Sequence, residues 1–316
     1  MGKLLEHEPA IRLPSYLQTR NEPNQGTLRS AIDCTGIGVH SGCRTSMTLR
    51  PADAGTGIWF RRTDLAGAPD VPARWDSVVD TRLCTVLGAP KNPAVRIGTV
   101  EHLMAAFAGF GIDNAIVDID GPEIPILDGS AEPFMFLLDC AGREEQDMPR
   151  RRIDILETVR VTDGEAFAEL RPARGQDGLE MMLSIDFAAP AIGRQARAMT
   201  LNEASFRREL AKARTFALAE DINQLRAAGL ALGGSMANAV VVDHARVLNP
   251  EGLRMSDEFV RHKLLDAVGD LALAGGALCG RLIGHRTGHR LNNKLLTALF
   301  ATPSAWRVAP AFAQAA

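Results

Sequence analysis

One run of the chain, Asp257 through Asp270, makes two demands that few environments satisfy together. Phe259, Leu264, Leu265, Val268 and Leu271 recur at helical spacing, so residues 256–273 read as a helix buried on most of its surface. His262, Asp266 and Asp270 sit four residues apart, and a helix stacks them on one face about a turn at a time. Buried ionisable groups need partners, and a metal ion is one of the few that suits all three. A solvated polar face with an incidental histidine fits the same spacing, so the pattern alone leaves both readings open.

A chain of 316 residues has the length for two ordinary domains. Its 46% hydrophobic and 23% charged residues describe a globular protein, and aromatics at 5% leave the cores to Leu, Val, Ile, Ala and Met. A net charge of -3 with the signs interspersed offers no electrostatic case for nucleic acid. Cys34, Cys43, Cys84, Cys140 and Cys279 are odd in number and form no C-x-x-C pair, which argues against a disulfide framework or a thiolate zinc site. The polar N-terminus has no apolar signal core, and no run approaches the ~18 apolar residues of a membrane span. These features predict a cytoplasmic protein with a flexible leader over residues 1–26.

Short alternating runs at 29–34, 45–50, 58–62 and 83–87 read as strands. Residues 97–110 read as a helix capped by Thr99 and stopped by Gly109 and Gly111. A strand at 115–119 and a helix at 131–140 complete the first half. The charged stretch from Gly142 to Arg152, with Pro149 inside it, marks a boundary. Beyond it, strands at 155–162, 166–171 and 179–187 precede a helix at 205–214 and a glycine-rich segment ending Gly233-Gly234-Ser235. A strand at 239–243, the opening helix, a strand at 279–285 and a helix at 291–300 follow. Strands and helices without regular βαβ alternation predict an α+β fold.

Chemistry-bearing residues recur at three stations. Glu101-His102 opens the first-half helix, His262/Asp266/Asp270 form the stripe, and a turn at Gly288 places His289 ahead of the last helix. Two histidines and one carboxylate make a catalytic zinc set with one position open for water. Such an ion lowers the water pKa to about 7, and a neighbouring carboxylate takes the proton. A further histidine, oriented by an acid such as Asp270, can steady an oxyanion and protonate a leaving nitrogen.

Five stretches together resemble a known family. Thr99-Val100-Glu101-His102-Leu103, Pro122-Glu123-Ile124-Pro125-Ile126-Leu127-Asp128-Gly129-Ser130-Ala131, Arg214-Thr215-Phe216, Asp257 through Asp270, and Gly288-His289-Arg290-Leu291-Asn292-Asn293-Lys294 resemble, in this order, the UDP-3-O-acyl-N-acetylglucosamine deacetylases of lipid A synthesis. The resemblance runs from Thr27 to Trp306. It implies two similar α+β domains, each a small, mostly antiparallel sheet layered with helices, with the active site between them. Combined with the boundary above, the domains are 27–148 and 149–306, leaving 307–316 as a frayed tail. The resemblance makes His102, His262 and Asp266 ligands of Zn2+, with Fe2+ the other ion suited to the site. Glu101 becomes the general base, His289 the acid or transition-state stabiliser, and Asp270 the carboxylate that orients it. Thr215 corresponds to a threonine near the oxyanion and Lys263 to a lysine that reaches substrate. Phe216, Gly234 and Ser235 correspond to the substrate site and its acyl passage, Asp186 and Phe187 to the uridine end, and His40 to a further active-site histidine. The implied reaction is hydrolysis of the N-acetyl group of a UDP-linked, 3-O-acylated glucosamine.

Departures from the family pattern lie outside this chemical core. Ala166 stands where relatives often carry a basic residue, so its side chain supplies no diphosphate contact, and Met236 where some have Phe. His285 occupies a position that is usually not His and reads as strand structure. His7 and His244 read as surface residues, Cys84 as a buried thiol, and Asp128-Gly129 as a turn. Gly233-Gly234 is no phosphate loop, because no Lys-Ser/Thr follows. A monomer is expected, with at most weak contact to an anionic membrane surface through Arg150-Arg151-Arg152. Two other functions stay open: a zinc amidase acting on a different acylated amino-sugar nucleotide, and a metal-stabilised binding protein. A merely structural zinc would need neither Glu101 nor His289.

Overall fold

Apolar residues at every second position build the two largest sheets. In Arg44–Pro51 the side chains of Thr45, Met47 and Leu49 are buried while those between them face outward, the pattern of a sheet packed on one side. The computed structural model describes residues 23–89, 91–175 and 178–309. In the first half, five strands lie in the order Ile32–Ile37, Arg44–Pro51, Ala115–Ile119, Ile58–Arg62 and Val71–Pro72. Ala115–Ile119 runs parallel to Ile58–Arg62 and antiparallel to Arg44–Pro51.

The second half is organised on the long strand Ala277–His285. It runs antiparallel to Ala166–Arg171 and parallel to Leu179–Asp186, and its first residues run parallel to Arg152–Ile155. Val159–Asp163, Arg194–Thr200 and Trp306–Val308 complete a seven-stranded mixed sheet. Helices α1 (Glu101–Phe110), α2 (Glu132–Ala141), α3 (Glu203–Glu209), α4 (Ala219–Ala227), α5 (Glu258–Ala272) and α6 (His289–Phe300) accompany the sheets. The architecture is α+β, as expected. One hydrophobic cluster runs through both halves, from Phe60 and Phe107 to Leu264, Leu282 and Leu296.

Helices α1 and α5 hold the centre, and both are buried along nearly their whole length. Gly269 permits their approach: a Cβ there would overlap the carbonyl oxygen of Glu101. A glycine inside a helix ordinarily costs about 1 kcal/mol against alanine, and here it lets two backbones touch.

Several sequence expectations are corrected. Thr99 does not cap α1. Val100 holds the cap position without a side-chain cap, and Thr99, in the left-handed region at φ 56, donates its hydroxyl to Glu123 Oε1 at 2.8 Å. The charged stretch after Gly142 is a strand, Arg143–Pro149, paired antiparallel with Asn24–Leu28. Its partner therefore places residues 24–26 in a strand rather than a leader; residues 1–22 lie outside the described residues. Arg143–Pro149 shows little apolar alternation because none of its residues is buried. The run 155–162 is broken into Arg152–Ile155 and Val159–Asp163. Trp306–Val308 pairs with Arg152–Ile155, so the expected tail begins inside the sheet; residues 310–316 lie outside the described residues. Helix α4 gave no sequence signal because none of its residues is buried.

Candidate metal centre and active site

Helix α5 presents His262 and Asp266 one turn apart, with His262 Nε2 3.3 Å from Asp266 Oδ1. Helix α1 brings His102 in from the first half, its Nε2 3.5 Å from the same oxygen. The two imidazoles meet edge to face with centroids 5.0 Å apart. All three side chains are buried, and their ligand-capable atoms lie within 4.8 Å of one another. The Nδ1 of His262 is 3.1 Å from the carbonyl oxygen of Ala213. Donation to that carbonyl leaves the lone pair on Nε2, turned toward the cluster. Burial, opposed by Asp266, pushes His262 down to about 3, so its ring is neutral at ordinary pH. Among the described residues, none donates a hydrogen bond to the buried Asp266 Oδ1, a costly state for a carboxylate unless a cation sits against it. A neutral, pre-oriented imidazole, a second imidazole and an anionic oxygen fit zinc.

Burial alone would raise Asp266, but His262 and the Lys263 ammonium hold it well below the carboxylate range. Lys263 Nζ lies 2.9 Å from Asp266 Oδ2, and that charge keeps Lys263 above its ordinary value despite its own burial.

Glu101 precedes His102, so its side chain leaves α1 about 100° around the axis, beside the cluster rather than in it. Its Oε2 accepts the backbone N–H of Thr85 at 3.0 Å, and its Oε1 lies 3.8 Å from His289 Nε2. Burial raises the Glu101 pKa, against the pull of His289 and His102. His289 is the first residue of α6, and its Nδ1 donates to Asp270 Oδ2 at 2.9 Å. Burial would depress this ring, but Asp270 and Glu101 outweigh it and push His289 up to about 10. Asp270, at the top of the α5 stripe, thus stands outside the ligand set and holds His289.

A cavity of about 610 Å³ opens on this cluster. Its polar head is lined by His40, Thr99, Glu101, His102, Thr215, His262, Lys263, Asp266 and His289. Phe216, Gly234 and Ser235 line it as well, and Ile222, Leu225, Met236, Val241 and Leu248 form apolar walls. Asp186 is not among these residues. It lines a second concavity of about 570 Å³ with His285, Ser184 and Arg194, and accepts Arg194 Nε at 3.0 Å. Phe187 meets Phe216 edge to face at 5.4 Å. The Nδ1 of His285 is 2.9 Å from Ser184 Oγ on the neighbouring strand, away from the metal-ligand cluster.

Sequence reasoning missed several groups that build the site. Glu123, 3% exposed, accepts the hydroxyl of Thr99 and the backbone N–H groups of His40 and Ser41, tying the glycine turn to the start of α1. Arg214 and Glu258 form a buried pair at 2.9 Å that fixes the segment leading from Ala213 to Phe216 against the first turn of α5. Thr85 and Asn292 both donate to Asp270. Leu83, Thr99 and Ala231 line the cavity in left-handed conformations, a strain that surrounding contacts must hold in place. A carboxylate flanked by two prolines, as in Pro122-Glu123-Ile124-Pro125, was the one available signal for Glu123.

Fold and site together have the parts of a metal-dependent hydrolase: three buried side chains able to hold a metal ion, a carboxylate of raised pKa beside them and a histidine held by a further carboxylate. Residues 25–301 match the family described as LpxC: UDP-3-O-acyl N-acetylglycosamine deacetylase. The UDP-3-O-acyl-N-acetylglucosamine deacetylase of Pseudoalteromonas atlantica is 50% identical over 284 residues, 89% of this chain and 92% of that protein. Those of Idiomarina loihiensis and Phenylobacterium zucineum are each 51% identical, over 89% and 90% of this chain and 91% and 96% of their own lengths. The chain belongs to the UDP-3-O-acyl N-acetylglycosamine deacetylase family.

Proposed function

We propose that this protein hydrolyses the N-acetyl group of UDP-3-O-acyl-N-acetylglucosamine, releasing acetate and UDP-3-O-acyl-glucosamine in lipid A biosynthesis, and that it works as a cytoplasmic monomer of two domains, 27–148 and 149–306. The observation that carries this reading is the buried ligand set with Glu101 and His289 beside it at the polar head of an apolar cavity.

His102, His262 and Asp266 would hold Zn2+, or Fe2+ in its place, which would supply Lewis acidity toward water and the amide carbonyl. Glu101 takes a proton from the attacking water as its oxygen adds to the acetyl carbon. Its raised pKa makes it a stronger base than an exposed carboxylate. Thr215, on the cavity wall, serves the carbonyl oxygen as charge develops there. His289 gives its proton to the amine nitrogen as the C–N bond breaks, and Asp270 keeps the ring oriented throughout. Lys263 reaches substrate as a cation, while Ile222, Leu225, Met236 and Leu248 receive the 3-O-acyl chain. Asp186 and Phe187 serve the uridine end, with Phe187 propped against Phe216. His40 completes the polar head.

Chelation should abolish acetate release from this substrate while the far-ultraviolet circular dichroism stays unchanged, and added Zn2+ should restore it. Hydrolysis that persists in metal-free protein would refute the proposal. Substrates lacking the long 3-O-acyl chain should be turned over less efficiently, because the apolar walls then bury nothing. His262→Ala should lose bound metal and activity together, which metal analysis of the purified variant reads directly.

The pH dependence follows from two opposed groups. Activity should fall with acid as Glu101 becomes protonated and fall with alkali as His289 loses its proton. A dication beside them moves both limbs downward. In metal-free protein, NMR titration should find the His289 ring protonated up to about 10 and the His262 ring neutral down to about 3.

A further inference from the structure

Thr85 is 1% exposed, and all three of its polar groups are spent inside the site. Its N–H donates to Glu101 Oε2 at 3.0 Å. Its carbonyl oxygen accepts the N–H of Val100, immediately before α1, at 3.4 Å. Its hydroxyl donates to Asp270 Oδ1 at 2.6 Å. The other oxygen of Asp270 serves His289 Nδ1 at 2.9 Å and Asn292 Nδ2 at 2.8 Å. Asn292 is itself fixed by the hydroxyl of Thr287 at 2.7 Å.

One residue from the first half therefore touches Glu101 through its backbone N–H and the holder of His289 through its hydroxyl. Glu101 and His289 must act on the two sides of a single carbonyl carbon, so their separation decides whether both reach their atoms. From the geometry we infer that Thr85 is a positioning residue that sets this separation, tying the base on α1 to the Asp270–His289 pair on α5 and α6. The inference rests on the deacetylase reading for its kinetic consequences. Threonine suits the task because its β-branch leaves few χ1 choices. Leu83, in the left-handed region at φ 68, turns the chain just ahead of it. Without the hydroxyl, Asp270 Oδ1 loses this donor inside the protein, and the carboxylate is freer to rotate with the imidazole attached.

Thr85→Val keeps the shape and the backbone N–H and removes only the hydroxyl. Its kcat should fall about 10- to 100-fold, the usual cost of losing an outer orienting group. Its KM should stay within about twofold and its metal content should be unchanged, as for an interaction needed only in the transition state. Thr85→Ser, which restores the donor, should recover most of the rate. Because Thr85 acts through Asp270, the double variant T85V/D270N should be no slower than D270N by more than about twofold. Wild-type kcat in T85V, an equal loss in T85S, additive losses in the double variant, or a loss of metal would each overturn the inference. A readout free of substrate is the His289 Nδ1–H resonance in metal-free protein. It should shift in T85V and return in T85S; an unshifted resonance in T85V would overturn the inference even if the substrate were another. Absence of acetate release by the unaltered protein would overturn the substrate reading alone.

Discussion

Glu101→Gln should yield a folded protein that keeps its metal and turns over about 10²- to 10⁴-fold more slowly, the range expected when a general base is removed. Gln preserves the volume, and its carbonyl oxygen can still accept the N–H of Thr85. What it lacks is an oxygen basic enough to take a proton from water. The other carboxylates of the cluster do not replace it: Asp266 is held well below the ordinary range, and Asp270 is occupied by three donors. The loss should fall on kcat with KM little changed, because the proton moves only in the transition state. Steady-state kinetics beside metal analysis separates this outcome from collapse of the site. Wild-type turnover in the variant would take Glu101 out of the mechanism.

Gly269→Ala should reverse the usual rule for helix interiors. At an ordinary position in a helix, alanine would stabilise by about 1 kcal/mol. At Gly269 the new methyl overlaps the carbonyl oxygen of Glu101, and backbone cannot swing aside as a side chain can. Relief requires α1 and α5 to separate, which costs about 1–3 kcal/mol, typical of overpacking. His102 rides on α1 and His262 and Asp266 on α5, so the same displacement pulls the ligand set apart. Melting temperature, metal affinity and turnover should therefore drop together. A variant that melts higher with full activity would show that the helices do not meet at this residue.

The elements that sequence patterning located well bury one face of a regular period. Strands such as Arg44–Pro51 and Leu179–Asp186 alternate in exposure as their residues do, and α5 carries an apolar surface around a polar stripe. Patterning failed where an element buries little of itself, as in Arg143–Pro149 and α4. It also failed where a local signal is overridden by a distant partner: Thr99 looks like a cap, but the buried Glu123 claims its hydroxyl. In the site, the stripe on α5 was legible because two ligands lie on one helix. The roles of Glu123, Arg214 and Thr85 were not, since each is defined by residues remote in the chain.

By itself the sequence determined that a helix buried on most sides carries His262, Asp266 and Asp270 in line, and that Glu101-His102 opens another. Helical periodicity is a local property, set by bonds between neighbours in the chain. Periodicity cannot choose which carboxylate joins the histidines and which stands behind them; the family resemblance names the choice, and only the tertiary structure supplies its physical cause. That choice depends on Gly269 admitting the backbone of α1, on the carbonyl of Ala213 turning His262, and on Thr85, His289 and Asn292 claiming Asp270. Spacing along one helix makes Asp266 and Asp270 nearly equivalent; the partners brought to each from the rest of the chain make them different.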